Sequence, residues 1–443
     1  MSHYQRYPAY RDSGVEWIGE IPGHWTVKRL KQTMRLITTK SGGETQNIAL
    51  ENIESWSGRY LPSDTEFEGD GVTFQVGDIL FGKLRPYLAK AYLAEFQGAA
   101  VGDFHVMRPT RNSLFGRYAL YLILNHGVIS IVDGSTFGAK MPRVSWDFMG
   151  NIQLPVPPLE EQQAIASFLD RKTAEIDELI TKKEELLKKL DEKRTALITR
   201  AVTKGIDPSV PMKESGVEWL GEVPEHWEVT RIKFIFPRLY SGVSVNSDTF
   251  PSEQDSIGVL KTSCVYGNRF SPEENKKVID EETEKVACPV TKDSVIISRM
   301  NTPDLVGSCG YVEFDYPNLF LPDRLWIARF ENHKKMVGKF VWYLISSDTI
   351  VKLTGILATG TSGSMKNLSQ DSFLNIATAV PPIEEQHTIT LFLDQTTATI
   401  DRQKTQVTEA IERLKEYRSA LITDAVTGKM DVHSIGKKES LST

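Results

Sequence analysis

The chain is poor in cysteine: three among 443 residues, Cys264, Cys288 and Cys309, all in the second half. An odd count without paired ligand spacing argues against a disulfide framework or zinc ribbon and fits buried or free thiols in a reducing compartment. No run of about 18 apolar residues occurs, so no membrane span is expected. The opening "MSHYQRYPAYRDSG" lacks the apolar core of a signal peptide, so the expected location is the cytoplasm. Loops that hold nucleotides or cofactors are missing too. No glycine-rich loop ends in Gly-Lys-Ser/Thr, and no Gly-x-Gly loop follows a strand of a parallel α/β series. There is no Asn-Pro-Pro-aromatic motif of an amino-methyltransferase, and the eight histidines are scattered without metal spacing. A basic surplus is lacking as well: 52 Lys and Arg against 58 Asp and Glu give a net charge of −6. That argues against a protein that coats DNA generically, but a local basic face is enough for sequence-specific binding. The remaining composition, 40% hydrophobic and 25% charged, is that of a globular protein with room for two to four domains.

What the chain does contain, it contains twice. "SGVEWIGEIPGHWTVKRLK" from Ser13 returns as "SGVEWLGEVPEHWEVTRIK" from Ser215; 13 of 20 residues agree between 12–31 and 214–233, an offset of 202. "NIQLPVPPLEEQQAIASFLD" (151–170) returns as "NIATAVPPIEEQHTITLFLD" (375–394) with 12 of 20 identical, at an offset of 224. The second unit therefore holds 22 extra residues between its constant frames. The period establishes an internal duplication with variable inserts.

After each diproline (Pro157-Pro158 and Pro381-Pro382) the pattern turns helical, with Glu160-Glu161 and Glu384-Glu385 in the first turn, where the helix dipole favours acids. No proline or glycine interrupts until about Val202 and Val426. Apolar residues recur at 3–4 spacing, among them Ile165, Leu169, Ile176 and Ile180 in the first helix and Ile389, Leu393, Ile400 and Val407 in the second. Helices this long with so narrow an apolar stripe need a partner, and each is predicted to find it in the other. Two repeats related by a twofold axis perpendicular to the helices give an antiparallel coiled coil. The predicted fold is α/β (mixed α+β): a tandem duplication of an α/β domain followed by a long helix. The expected segments are a first variable domain at 1–157, a spacer helix at 158–205, a second domain at 206–381, a second spacer at 382–428 and a tail at 429–443.

Each middle reads as a mixed domain with several strands. "IALENIESWSGRY" (48–60) parallels "GVLKTSCVYGNRF" (258–270), both predicted as a short strand pair around a turn. "VGDILFGKLRPYLAK" (76–90) parallels "TKDSVIISRMNTPDL" (291–305), a strand followed by a basic loop. "GRYALYLIL" (116–124) parallels "GKFVWYLIS" (338–346), a predicted helix. Lys83, Arg85 and Tyr87 stand in a stretch without acids and suit phosphate or guanine contact. The Gly/Ser/Thr-rich segments before the diprolines (133–146 and 358–370) add Lys140, Arg143, Lys366 and Asn367, and the second domain adds Arg299, Asn301 and Arg324. Each has a bland alternative, a solvated turn or, for Asp323-Arg324, a structural ion pair. The repeated Trp17, Trp25, Trp219 and Trp227 serve either as core anchors or as a docking patch for a partner present twice. No catalytic constellation emerges. His24 and His226 repeat within Pro-x-His-Trp without a matched nucleophile, and the acid-x-Lys triplet Asp191-Glu192-Lys193 lies within a helix.

The doubled frames "SGVEWIGEIPGHW" and "VPPLEEQQAIASFLD…KKEELLKKL…RTALITRAVTKG", with "VGDILFGKLRPYL" between them, resemble the specificity subunit of type I restriction-modification enzymes over nearly the whole chain. The resemblance implies a non-catalytic subunit with two target-recognition domains, each reading one half of a bipartite double-stranded DNA site, separated by an antiparallel two-helix spacer. It further implies two methyltransferase subunits and two restriction subunits as partners, which carry S-adenosylmethionine, ATP and Mg²⁺ and perform adenine methylation or DNA cleavage. Recognition loops are the family's most variable part, so no base contact carries over. Two other classes make different predictions. A self-sufficient DNA enzyme would methylate or cleave alone, and a non-DNA adaptor would show no salt-sensitive binding to any duplex.

Overall fold

The computed structural model describes residues 5–41, 46–63, 71–110, 113–138, 140–236, 238–253, 256–330, 334–362 and 365–433. Most of the expected tail (434–443), and Ala139, Gly363 and Ser364 of the Gly/Ser/Thr-rich segments, lie outside the described residues. Both long helices form: Leu159–Lys204 with 46 residues and Ile383–Val426 with 44, each about 65–70 Å long. Contacts divide the chain into two units, 1–184 with 408–443, and 185–407. The division passes through the middle of each helix. Each unit takes the start of one helix and the end of the other.

In the first unit a four-stranded antiparallel sheet runs in the order Met34–Ile37, Phe104–Pro109, Ile79–Gly82, Ala91–Leu93. The two-residue period of a strand sends Ile79 and Phe81 into the main core and Leu80 between them into a second one. The helix Gly116–Ile123 covers the main core; a three-stranded sheet of Asn47–Ile48, Gly98–Ala100 and Val72–Phe74 covers the second. The second unit repeats this with Leu239–Ser241, Leu325–Arg329, Ser294–Ser298 and Cys309–Val312, where Val295 and Ile297 face one core and Ile296 the other. Its second sheet has four strands where the first unit has three. One expectation differs. Residues 262–268 form 3-10 turns rather than a strand pair, and in the first unit only the bridge Ile53↔Tyr60 follows a 3-10 turn at Leu50–Asn52. Asn52 accounts for that turn: its amide oxygen accepts the Ala49 N–H at 2.9 Å, a local bond that competes with strand pairing.

The two constant frames recur because they hold each other. Strand Gln153–Val156, just before the diproline, pairs antiparallel with Thr26–Arg29 of the first frame; Ala377–Val380 pairs with Glu228–Arg231 in the same way. Gln162, in the first turn of the helix, accepts the Phe115 N–H (2.7 Å) and donates to the Pro157 carbonyl (2.9 Å). Gln386 does the same with Val337 (2.9 Å) and Pro381 (3.0 Å). Each unit also grips the end of the other helix: Asn125 Nδ2 donates to Thr423 Oγ1 at 2.9 Å, and the Asp348 N–H donates to Thr199 Oγ1 at 3.2 Å. Helix pairing is antiparallel. In the second unit Asp191 meets Lys404, and Arg194 lies 3.6 Å from Asp401, rising numbers against falling. In the first, Arg418 reaches Asp177 at 2.9 Å.

Candidate nucleic-acid interface

Two segments that are 50 residues or more apart in sequence come together in the first unit. The loop after strand Ile79–Gly82 and the hairpin at 137–143 are joined by the bridge Leu84↔Arg143 and by the Arg85 N–H donating to the Pro142 carbonyl at 2.8 Å. Phe137 and Arg143 exchange both backbone hydrogen bonds at 3.1 Å. Asp103 lies behind the loop: Arg143 grips it with two bonds of 3.0 and 2.9 Å, and Lys83 Nζ stands 3.7 Å away. The Arg143 hydrogen bonds hold the Asp103 carboxyl below the usual carboxylate range, against the upward push of its own partial burial. Behind it, burial pushes the His105 imidazole below its ordinary value, and its Nε2 lies 3.1 Å from the Val144 carbonyl. Arg85, Tyr87 and Lys140 remain exposed, and no ion pair among the described residues engages Arg85 or Lys140. Arg85 has φ +49°, in the left-handed region where a non-glycine residue costs roughly 1–3 kcal/mol, strain that this doubly tied loop supports.

The second unit brings the corresponding segments together. Met300–Asn301 pairs antiparallel with Met365–Asn367, in the register Met300↔Asn367 and Asn301↔Lys366. Arg299 fixes both sides: its N–H donates to the Arg324 carbonyl at 3.1 Å, and its carbonyl accepts the Leu368 N–H at 2.8 Å. All five residues predicted for this domain therefore lie in one place. Arg324 is exposed, and Lys366 is half-buried. Arg299 Nε and Asn367 Oδ1, a donor and an acceptor, are buried without a hydrogen-bond partner among the described residues.

Three expectations need correction. Asn301 is buried and committed: its amide donates to Tyr266 Oη and Ser298 Oγ, both at 3.3 Å, and its oxygen accepts the Thr302 N–H at 2.9 Å. It braces the strand and does not face solvent. Arg143 and Lys83 are engaged by Asp103, which makes them supports for the loop more than free cations. Trp25 and Trp227, each 1% exposed, are sealed in the core and cannot offer a docking surface. Their indole N–H groups donate to the second glutamate of each helix, Glu161 at 3.1 Å and Glu385 at 3.2 Å, and His24 and His226 approach the same carboxylates at 2.8 and 2.7 Å. Trp17 and Trp219 are only half-buried, packed on the edges of the two cores.

With this geometry in hand, the family model of the type I restriction modification DNA specificity domain matches residues 58–189 and 224–413. The chain belongs to this family. It is a specificity subunit of a type I restriction-modification system, and its role is DNA sequence recognition rather than catalysis. It is similar to a putative type I restriction enzyme specificity subunit of Methanocaldococcus jannaschii, 24% identical over 94% of this chain and 96% of that one. It is also similar to the EcoKI specificity subunit of Escherichia coli, 23% identical over 73% of this chain and 68% of that protein. A chain from a solved type I R-M structure concerned with complex assembly and conformational transition shares the fold, with a TM-score of 0.70, 17% identity and coverage of 92% and 98%. The HsdS subunit from Thermoanaerobacter tengcongensis also shares it, with a TM-score of 0.52, 18% identity and coverage of 93% and 98%.

Sequence reasoning about this specificity subunit missed Asp103, which organises the first interface, and Tyr266, which buttresses the second. Asp103 carried a faint signal, since "VGDFHVMRP" aligns with "LPDRLWIARF" and places it opposite Asp323. A repeated charge node also went unseen. Arg59 and Arg418 converge on Asp177, and Arg269 and Arg194 converge on Asp401. Among the described residues no cluster of His, Cys, Asp and Glu is arranged to hold a metal ion, and no single helix is long and apolar enough to cross a membrane.

Proposed function

We propose that this specificity subunit reads an asymmetric, bipartite DNA target, one half with each recognition domain (1–157 and 206–381), and that the helices at 158–205 and 382–428 set the gap. The observation that carries this reading is the repeated junction of a cation-bearing loop with a second segment: 83–87 with 137–143, and 299–301 with 365–367. One framework, built twice with different side chains, suits two different half-sites better than a palindrome. Arg85, Tyr87 and Lys140 serve the first half-site, on a loop that Lys83 and Arg143 brace through Asp103, and Arg299, Arg324, Lys366 and Asn367 serve the second. Arg85 and Arg324 are the candidates for forking onto a guanine, and Lys140 and Lys366 for phosphate. The half-buried Trp17 and Trp219 mark where two methyltransferase subunits dock. Two restriction subunits complete the assembly, in the cytoplasm, and S-adenosylmethionine, ATP and Mg²⁺ belong to those partners.

The test is the methylated motif in cells carrying this subunit with its companion methyltransferase, followed by binding of the assembled complex to that motif. Arg85→Ala and Arg324→Ala are each expected to cost about 1–3 kcal/mol and to relax specificity in one half-site only. Lys140→Ala should weaken all sequences alike and lower the salt slope by about one. A continuous palindromic motif would refute the reading. Asp103→Asn supplies a separate measurement. It releases Lys83 and Arg143 from their shared carboxylate, so salt-sensitive binding to unrelated duplexes should rise while discrimination in the first half-site falls. Unchanged discrimination would mean that Asp103 does not order the loop.

A further inference from the structure

Beside the cations of the first interface stand two large apolar side chains that the reading above leaves without a role. Phe137 is 62% exposed and Met141 46% exposed, on either side of the turn of the 137–143 hairpin. Leaving a phenylalanine in water forgoes much of the gain that its burial would bring. Gly138, at φ +95°, turns the chain immediately after Phe137. The reciprocal Phe137–Arg143 bonds put those two side chains on one face, and Arg143 is locked onto Asp103. The Leu84 bridge and the Arg85 bond to Pro142 tie the other flank. The hairpin is held on both flanks, and Phe137 and Met141 stay exposed on it.

We infer that Phe137 and Met141 form an apolar prong that meets base edges in the first half-site, with thymine methyl groups as the surface it recognises. This rests on the DNA-reading role proposed above. Three observations favour DNA over other occupants. Arg85 and Lys140, exposed cations on the two tied segments that carry the prong, suit a phosphate backbone. In the major groove the thymine methyl is the one apolar group that a base edge offers. The second unit carries Met365, 36% exposed, at the position corresponding to Met141 and next to Lys366, so the methionine of the prong recurs there without the phenylalanine. A thioether on an unbranched chain also adapts well to an irregular edge. Arg85 and Lys140 supply attraction that any sequence satisfies, whereas the prong supplies discrimination that charge cannot.

The experiment uses the full-length subunit assembled with its methyltransferase, and duplexes carrying the methylated motif. Thymines of the first half-site are replaced one at a time by deoxyuridine, which lacks only the methyl group. At one or more positions the wild type should bind about fourfold more weakly for the lost methyl. The double variant Phe137→Ala/Met141→Ala should bind the natural motif at least as weakly, be indifferent to the deoxyuridine, and keep the wild-type salt slope. Both residues are exposed, so the variant is expected to fold, and a melting curve verifies this. A double variant with wild-type affinity and preference overturns the proposal, as does a first half-site without thymine or a wild type indifferent to every deoxyuridine. Reduced sedimentation of the variant with phosphatidylserine vesicles, with unaltered DNA binding, would assign the prong to a lipid surface and likewise overturn it. If Arg85→Ala and Lys140→Ala still impair the half-site in those cases, the prong alone fails. If those variants too are silent, the interface itself has been misassigned.

Discussion

Glu161→Ala is expected to lower the stability of the first unit by about 2–5 kcal/mol, and Glu385→Ala to cost the second only about 1–3 kcal/mol. The two glutamates occupy the same position of the repeated motif, yet their surroundings differ. The Glu161 side chain is 7% exposed and accepts hydrogen bonds from Trp25 Nε1 and the Tyr7 hydroxyl, with His24 at its other oxygen. Removing it strands two buried donors. The Glu385 side chain is 26% exposed, and among the described residues Trp227 is the one buried donor bound to it. His24 and His226 are about half exposed, so their ion pairs add little. Thermal unfolding of both variants checks this, with the larger fall expected for Glu161→Ala. Equal falls would mean that burial does not set the cost, and no fall for Glu161→Ala would remove the anchoring role.

The same junction gives a pH dependence. Burial, and then the bond to Glu161, push the Tyr7 phenol well above its ordinary value of 10.0. A group whose pKa is raised on folding contributes fully below its unfolded value, and that contribution is lost as pH rises past it. The first unit should therefore lose stability from about pH 10 upward, and Glu161→Ala should flatten that fall.

How much of this was legible in the sequence depended on whether the signal was periodic or pairwise. The long helices were, because an apolar stripe sustained for more than forty residues without proline or glycine has few other readings. Their shared membership of two units was not, because it depends on single contacts such as Asn125 with Thr423. The frames were visible as repeats, but what repeats in space is a set of partnerships: histidine and tryptophan with glutamate, glutamine with the entry of a helix, tyrosine with aspartate. Tyr121 donates to Asp170 and Tyr343 to Asp394, each at 2.7 Å, and both residues of each pair stand within the duplicated segments without a hint that they meet. The candidate interface was legible only as residue types within loop segments. Asn301, Arg143 and Lys83 show what composition leaves open, because a polar or cationic side chain near a loop serves the fold as readily as a ligand, and only its neighbours decide. The tryptophans make the same point. The pair next to histidine is buried, and the pair next to glutamate is half-buried, although all four repeat equally well.

Lengthening both helices by four residues is expected to widen the gap of the methylated motif by one or two base pairs while leaving both half-sites unchanged. The pairing dictates the design. Asp177 with Arg418 belongs to one unit, and Asp191 with Lys404 and Arg194 with Asp401 to the other, so an insertion in one helix alone would shift partners past each other. Insertions after Glu184 and after Val407, where the units divide, leave every one of those pairs within its own unit. Four residues add about 6 Å of rise, against about 3.4 Å per base pair. They displace the apolar stripe by only about 40°, which a coiled coil absorbs as a local stutter. Two residues inserted at the same places rotate the apolar stripe of each helix by about 200° across the insertion, so the stripe before it and the stripe after it can no longer share one seam; methylation should then be lost altogether. The measurement is the motif methylated in cells carrying each pair of insertions. An active four-residue variant with an unchanged gap would show that the distance is set elsewhere, and an active two-residue variant would show that the seam is dispensable.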